Sequence, residues 1–292
     1  MIDHTNISII YSGDDVRHRI KHFGASLIDQ MLYSVQSIRV NWSKEIPIFF
    51  THTKALSPEL EGKLTSMGIQ PFQSARYFIP GFPLGNKINF AAIPVETDYT
   101  LFLDCDTVVH REVRIESDAE FLVAFDALQA LEEKQYEALF SLLDISFPKG
   151  HFVESPAYEY YYGNQEGIFP SWNSGVFFIE SAKRHKFAEC WHKNLMAAHK
   201  EFSQASWSFY LEQVCFVATV FELNLNYLIL PKGYNHISTP RAPFLRDWDR
   251  DEIYIEHYAG DSGRPIPPGQ HLARSLNKDM FATFFETFMT SQ

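Results

Sequence analysis

The stretch TLFLDCDTVVH, residues 100–110, sets two carboxylates one residue apart directly after an apolar run. The run is short and follows Glu96-Thr97-Asp98, which predicts a buried strand whose carboxyl end carries Asp104 and Asp106. Residues two apart on an extended chain face the same way, and like charges converging at a strand end are costly unless something cationic lies between them. A divalent metal meets that need, and all-oxygen ligation favours Mg or Mn over Zn or Cu. The plainer reading is a surface turn in which each Asp caps a helix or loop. The buried strand ahead of the pair is what argues for the metal.

Upstream, residues 7–12 (ISIIYS) are strand-like and break at Gly13-Asp14-Asp15. Leu27, Ile28, Met31, Leu32, Val35 and Ile38 then recur at helical spacing, and residues 46–50 (IPIFF) are strand-like again. Ser57-Pro58-Glu59 starts another helix, with Ser as N-cap and Pro at its first position, ending near Met67-Gly68. This βαβ rhythm predicts a parallel sheet with crossover helices and ligands beyond the carboxyl ends of its strands. Downstream, residues 121–125 (FLVAF) form a strand with Asp126 at its end, and residues 128–143 look helical. A loop-rich, tyrosine-bearing stretch (158–164) runs on to Pro170. Its aromatics suit packing better than sugar stacking, since rings bury large areas wherever they lie. Then SWNSGVFFIE, residues 171–180, reads as a polar turn entering an apolar strand, with Gly175 leaving room for a close backbone or ligand approach. Helices are expected over 182–199 and 211–221, and strands at 227–230 and 253–255. No repeat or linker marks a domain boundary.

Composition narrows the function classes. The 292 residues are 46% hydrophobic and 15% aromatic, enough to bury a core, and their net charge of -11 opposes binding to nucleic acid or anionic lipid. Beyond short pieces such as Lys183-Arg184-His185 there is no basic cluster, so a phosphate-bearing substrate needs local cations. Three cysteines, Cys105, Cys190 and Cys215, lack metal-ligand spacing and argue for a reducing compartment, hence a cytoplasmic protein. No signal peptide is evident, and no apolar run approaches the length of a membrane span.

Four segments, in order, resemble glycosyltransferase family eight, the GT-A group of glycogenin and the bacterial lipopolysaccharide galactosyltransferases. They are Tyr11-Ser12-Gly13-Asp14-Asp15; Asn86-Lys87-Ile88 followed by LFLDCDTVV; Asn173-Ser174-Gly175-Val176; and His257-Tyr258-Ala259-Gly260 with Arg264-Pro265. Glu212-Gln213 and Leu230-Pro231 before Tyr234-Asn235 look like two further family signatures. The resemblance spans nearly the whole chain. It implies a single GT-A domain over residues 1–292, with a nucleotide-binding half (1–126) and an acceptor-side half (127–292) that returns to the metal site. The implied fold is α/β, a Rossmann-like, mainly parallel mixed sheet flanked by helices, with an irregular acceptor-side region and a C-terminal helix.

The implied activity is that of a retaining hexosyltransferase. It moves a hexose from a nucleoside-diphosphate sugar, a UDP-sugar, to a hydroxyl of a carbohydrate or lipid-linked glycan acceptor, with Mn2+ or Mg2+ as cofactor. The family pattern makes Asp104, Asp106 and His257 the metal ligands. Donor binding falls to Asp14, Lys87, Asp104, Asn173, Gly260 and Arg264, and the catalytic positions around the sugar are Gln213, Glu212 and Asp126. Arg264 stands where the family usually has Lys, which keeps the charge but changes the hydrogen-bond geometry, and Glu212 replaces the commoner Asp. Two other readings compete. LDCDTV also matches the nucleophile motif of haloacid-dehalogenase phosphohydrolases, with Asp104 attacking phosphorus, although there the motif usually opens the domain, whereas here it lies about a third of the way along. A non-catalytic nucleotide-sugar- or glycan-binding protein would keep the fold without turnover. In the tail, Phe281, Phe284, Phe285 and Phe288 share one helical face, which suits docking on the core first, and a homodimer or a weak membrane-surface contact second.

Overall fold

The computed structural model describes residues 6–13, 27–43, 45–80, 82–113, 117–125, 133–148, 172–237 and 253–257. The opening pattern folds as its periodicity indicates: β1 (Ile7–Ser12), α1 (Leu27–Asn41), β2 (Ile48–His52), α2 (Pro58–Ser66) and β3 (Ile69–Gln73). Ser57 caps α2 by accepting from the Leu60 amide at 3.2 Å, and Pro58 occupies the first turn, where its missing N–H costs nothing. Then follow β4 (Tyr99–Leu103), β5 (Thr107–Val109), β6 (Phe121–Phe125), α3 (Glu133–Leu142) and β7 (Trp172–Glu180). The described chain continues through α4 (Arg184–Phe202), α5 (Leu211–Glu222), β8 (Tyr227–Ile229), β9 (His236–Ile237) and β10 (Ile255–His257).

Seven strands form one sheet in the order β3-β2-β1-β4-β7-β6-β8. β3, β2, β1 and β4 run parallel, β7 is antiparallel to both its neighbours, and β8 is parallel to β6. The sheet is therefore mixed and mainly parallel, and strands from both halves of the chain share it. Both faces are buried, because adjacent strand residues feed opposite cores. Ile10, Phe102, Phe177 and Ile179 enter one core with α3, α4 and α5, while Ile9, Leu101, Leu103 and Phe178 enter the other with α1 and α2. In the first core the Phe177 ring lies 5.0–5.6 Å, centroid to centroid, from Phe90, Phe102, Phe121 and Phe216. A second, three-stranded sheet, β5-β10-β9, stands beside the carboxyl end of β4.

Several boundaries differ from expectation. The strand at 46–50 sits two residues later, at Ile48–His52, and the one expected at 253–255 is Ile255–His257. β3 carries Pro71, which masks its strand character in sequence; it is tolerated because β3 is the sheet's edge. Asn173-Ser174-Gly175 is not a turn ahead of a strand but lies inside β7. The polar residues fit there because the β6 register jumps from Val123↔Phe177 to Ala124↔Asn173, a bulge that frees the intervening β7 residues from that neighbour. α3 runs over Glu133–Leu142 within the helix expected at 128–143, of which 128–132 lie outside the described residues. The tyrosine-rich loop and the C-terminal phenylalanine helix lie outside the described residues. Among the described residues no helix is long and apolar enough to cross a membrane.

Phe177 is fully buried at the centre of its ring cluster. Phe177→Ala is expected to destabilise the protein by about 3–5 kcal/mol, the usual cost of emptying an aromatic core site. Urea unfolding followed by tryptophan fluorescence measures it, and a loss below about 1 kcal/mol would show that the cluster does not carry the core.

Candidate functional site

Asp104 is the first residue beyond β4, at the edge where β1 and β4 end. Its backbone N–H donates to the Gly175 carbonyl at 2.7 Å, so β7 holds the start of the turn. Glycine is required there by space: a Cβ on residue 175 would stand 2.3 Å from Asp104 Oδ2 and 2.8 Å from Asn173 Oδ1. Asn173 Oδ1 accepts from the Gly175 N–H at 2.7 Å, and this fixes the β7 backbone against the carboxylate.

Lys87 reaches the same carboxylate from a 3₁₀ segment, Pro83–Ala92. That segment is pinned by Asn89, whose Oδ1 accepts from the Tyr77 N–H and whose Nδ2 donates to the Asn86 carbonyl, each at 3.1 Å. Lys87 Nζ lies 3.1 Å from Asp104 Oδ1, 3.2 Å from Ser174 Oγ and 3.7 Å from Glu212 Oε2. Ser174 Oγ donates to Glu212 Oε2 at 3.0 Å, and Trp191 Nε1 holds the Glu212 carbonyl at 3.0 Å. The second Glu212 oxygen, Oε1, is buried without a hydrogen-bond partner. Burial pushes the Glu212 carboxyl up to about 7 against the opposing pull of Lys87. Burial also works against the Lys87 ammonium, but Asp104 first and Glu212 second outweigh it and hold Lys87 above the usual lysine range.

The third group arrives from the far end of the described chain. β10 pairs antiparallel with β5, placing His257 opposite Thr107. His257 Nε2 then lies 3.2 Å from Asp106 Oδ1 and 4.0 Å from Asp104 Oδ2. On the other side of the ring, Nδ1 is 2.9 Å from Asn235 Oδ1. An amide oxygen accepts only, so Nδ1 carries the proton and Nε2 is the nitrogen turned toward the carboxylates. Burial disfavours the His257 imidazolium, yet Asp106 outweighs it and the pKa is raised; Asp106 is lowered because His257 outweighs its own burial. Ligand atoms of Asp104, Asp106 and His257 all lie within 4.8 Å of one another. Two carboxylates and an Nε2 oriented by a second partner suit a divalent cation of the Mn or Mg kind.

Of the residues singled out in the sequence, Lys87, Asp104, Asp106, Asn173, Glu212 and His257 thus converge, while Gln213 follows Glu212 on α5 and is half-buried. Asp14, Asp126, Gly260 and Arg264 lie outside the described residues. Neither spacing nor residue type reveals a role for Ser174 or Asn235. Both stood inside quoted motifs, but only the fold shows which groups they touch.

Glu212 is expected to make stability depend on pH. Its folded pKa, about 7, exceeds the ordinary value of 4.5, so the folded state binds the proton more tightly and loses stability as pH rises from 4.5 to about 7. His257, raised from 6.5, acts in the same direction over a later window. Melting temperatures of Glu212→Gln should therefore fall less across that interval than those of the unaltered chain; parallel curves would remove Glu212 as the cause. Gly175→Ala should push the Asp104 carboxylate aside and weaken Mn(II) binding by ~10-fold or more, as measured by calorimetry.

Residues 23–224 match the family model of the Rhodobacterales glycosyltransferase domain. No curated protein matches the chain by sequence. Among solved structures, the galactosyltransferase LgtC in complex with donor and acceptor sugar analogues superposes with a TM-score of 0.56 at 14% identity, over 96% of this chain and 95% of its own. The glycosyltransferase GlyE of Streptococcus pneumoniae TIGR4 superposes with a TM-score of 0.55 at 13% identity, over 97% of this chain and 63% of its own. At these identities the likeness is one of fold.

Proposed function

The chain belongs to the Rhodobacterales glycosyltransferase domain family and has the GT-A fold of the family-eight type, and from that premise we propose that it is a retaining hexosyltransferase. In this reading it moves a hexose from a UDP-sugar to a hydroxyl of a carbohydrate or lipid-linked glycan, in the cytoplasm. The observation that carries the proposal is the convergence of Asp104, Asp106 and His257 beside a buried Lys87–Glu212 pair, beyond the carboxyl ends of parallel strands. That is where open α/β sheets bind ligands. The same arrangement suits a charged leaving group flanked by a neutral sugar.

Asp104, Asp106 and His257 Nε2 would hold Mn2+ or Mg2+. When bound, the cation supplies Lewis-acid neutralisation of the departing diphosphate. Lys87 places a fixed positive charge at the inner side of Asp104, which stabilises negative charge that grows as the glycosidic bond breaks. Glu212 Oε1, buried and unpartnered, accepts a hydrogen bond from a donor-sugar hydroxyl, and Ser174 and Lys87 keep the carboxylate turned for it. Gln213, one residue further along α5, organises the reacting face of the sugar without becoming a covalent nucleophile. Retention then follows from a front-face reaction, in which the leaving phosphate takes the acceptor's proton. The family resemblance adds Asp14 at the nucleoside, Asp126 and Asn173 at the sugar, and Gly260 with Arg264 at the diphosphate.

The phosphohydrolase reading is disfavoured by the family match, and Lys87 sits on the carboxylate that would have to attack phosphorus. Incubation with a UDP-sugar, Mn(II) and a glycan acceptor should release UDP and yield a glycosylated product. Asp106→Asn should abolish Mn-dependent UDP binding while leaving the melting temperature of the apo protein within a few degrees. Release of inorganic phosphate through a trapped phosphoryl-Asp104 would overturn the transferase reading.

A further inference from the structure

Asp104 and Asp106 belong to a short turn, and short turns hold two converging carboxylates only if something fixes their backbone. On one side the strands do so, through Asp104 N–H to the Gly175 carbonyl. On the other side a chain of buried hydroxyls runs from the turn into the second core. Thr107 Oγ1 donates to the Asp104 carbonyl at 2.8 Å. Ser34 Oγ lies 3.2 Å from Thr107 Oγ1, and Tyr11 Oη lies 2.6 Å from Ser34 Oγ. Thr107, Ser34 and Tyr11 are all at most 1% exposed.

Each hydroxyl has one proton, so the direction of the chain follows. The Thr107 proton goes to the Asp104 carbonyl, Ser34 must therefore donate to Thr107, and Tyr11 must donate to Ser34. Three elements are linked in this way: β1 through Tyr11, α1 through Ser34, and β5 through Thr107. One turn further along α1, Ser37 Oγ accepts from the Val109 N–H at 2.9 Å and donates to the Ser34 carbonyl at 2.6 Å. The helix thus grips β5 at both ends, and β5 is the strand on which His257 is registered. A purely apolar contact here would have supplied the burial without a directional restraint. Buried hydroxyls cost stability unless every one is satisfied, and in this chain each donor has an acceptor.

We infer that Thr107, Ser34 and Tyr11 are positioning residues of the metal site: they set the Asp104–Asp106 turn, and through β5 the His257 ring, at the spacing a divalent cation needs. The inference rests on the reading of Asp104, Asp106 and His257 as ligands. None of the three hydroxyls touches substrate or cation, and their effect is on how little the ligands must move when the cation binds.

The test compares Mn(II) affinity, from calorimetry and the electron paramagnetic resonance of free Mn(II), with the melting temperature of the metal-free protein. Thr107→Val keeps the shape and removes the hydroxyl, and it should weaken Mn(II) binding by ~10–100-fold, the usual effect of losing a partner behind a metal ligand. Thr107→Ser should restore most of that loss although it is the smaller side chain, which a packing role would not allow. Tyr11→Phe, at the far end, should weaken Mn(II) binding in the same direction by a smaller factor. Unchanged affinity in Thr107→Val, or failure of Thr107→Ser to restore it, would overturn the inference. If Thr107→Val does not fold, unchanged affinity in both Tyr11→Phe and Ser34→Ala would overturn it instead. Absence of Mn(II) binding by the unaltered chain is a different result: it would overturn the ligand reading and the positioning role with it.

Discussion

Charge balance at one edge of the sheet constrains the rest of this structure. Asp104, Asp106 and Glu212 come from two segments far apart in sequence and meet in a largely buried space, where unpaired carboxylates are expensive. Lys87 answers two of them, Asp104 and Glu212, and Asp106 faces His257. With a neutral imidazole, three carboxylates against one ammonium leave two negative charges, which a divalent cation would cancel. Asp106 drives His257 toward its protonated form, and burial drives Glu212 toward its neutral one. Both groups shift in the direction that removes negative charge. A buried ion pair is weak evidence for stability, so the cluster is better explained by what it is ready to bind than by what it adds to the fold.

The aromatic core and the close backbone packing follow from the same requirement. Groups at a strand end can be placed to a fraction of an ångström only if the strands beneath them do not shift. Phe177, between Phe102 on β4 and Phe121 on β6, fastens β7 to both neighbours a few residues below Asp104. Two residues before Phe177 in β7, Gly175 allows the backbone to approach the Asp104 carboxylate more closely than any side chain would permit. The bulge between β6 and β7 turns the polar Asn173 and Ser174 to use at this point, inside a strand that is otherwise apolar.

The legible part of the sequence was what period and spacing encode. The alternation of apolar runs with helical stripes indicated the parallel strands and crossover helices, and Asp104 with Asp106 marked the end of a buried strand. The illegible parts have physical reasons. β3 hides behind Pro71, which only an edge strand tolerates, and β5 and β9 are too short to show a period. Residues 172–175 look like a turn because Asn, Ser and Gly favour turns, but pairing of Trp172 and Asn173 with β6, and the Asp104 N–H on the Gly175 carbonyl, keep them in a strand. Ser174 and Asn235 were visible as letters of a motif, yet nothing local tells that one bridges Lys87 and Glu212 and the other orients His257. Tyr11 illustrates the limit well. It stands three residues before Asp14, read for donor binding, yet its side chain points into the core and takes part in the hydroxyl chain behind the turn.

How His257 reaches residues about 150 positions earlier is a matter of register. β10 lies antiparallel to β5 with His257↔Thr107 and Glu256↔Val108, and parallel to β9 with His257↔Ile237. Side chains alternate along a strand, so a slip of one residue would turn His257 away from the carboxylates and bring Glu256 toward them, adding negative charge where it is least tolerated. The correct register has its own marker: Glu256, on the opposite face, pairs with His110 at 2.9 Å just beyond β5. Asn235 then completes the selection from β9's side by accepting the hydrogen bond of the Nδ1 N–H, which only the proper facing of the ring allows. Ladder, His110–Glu256 contact and amide therefore point the same way, and agreement among independent local preferences is what lets a short, three-residue strand deliver one nitrogen to one place.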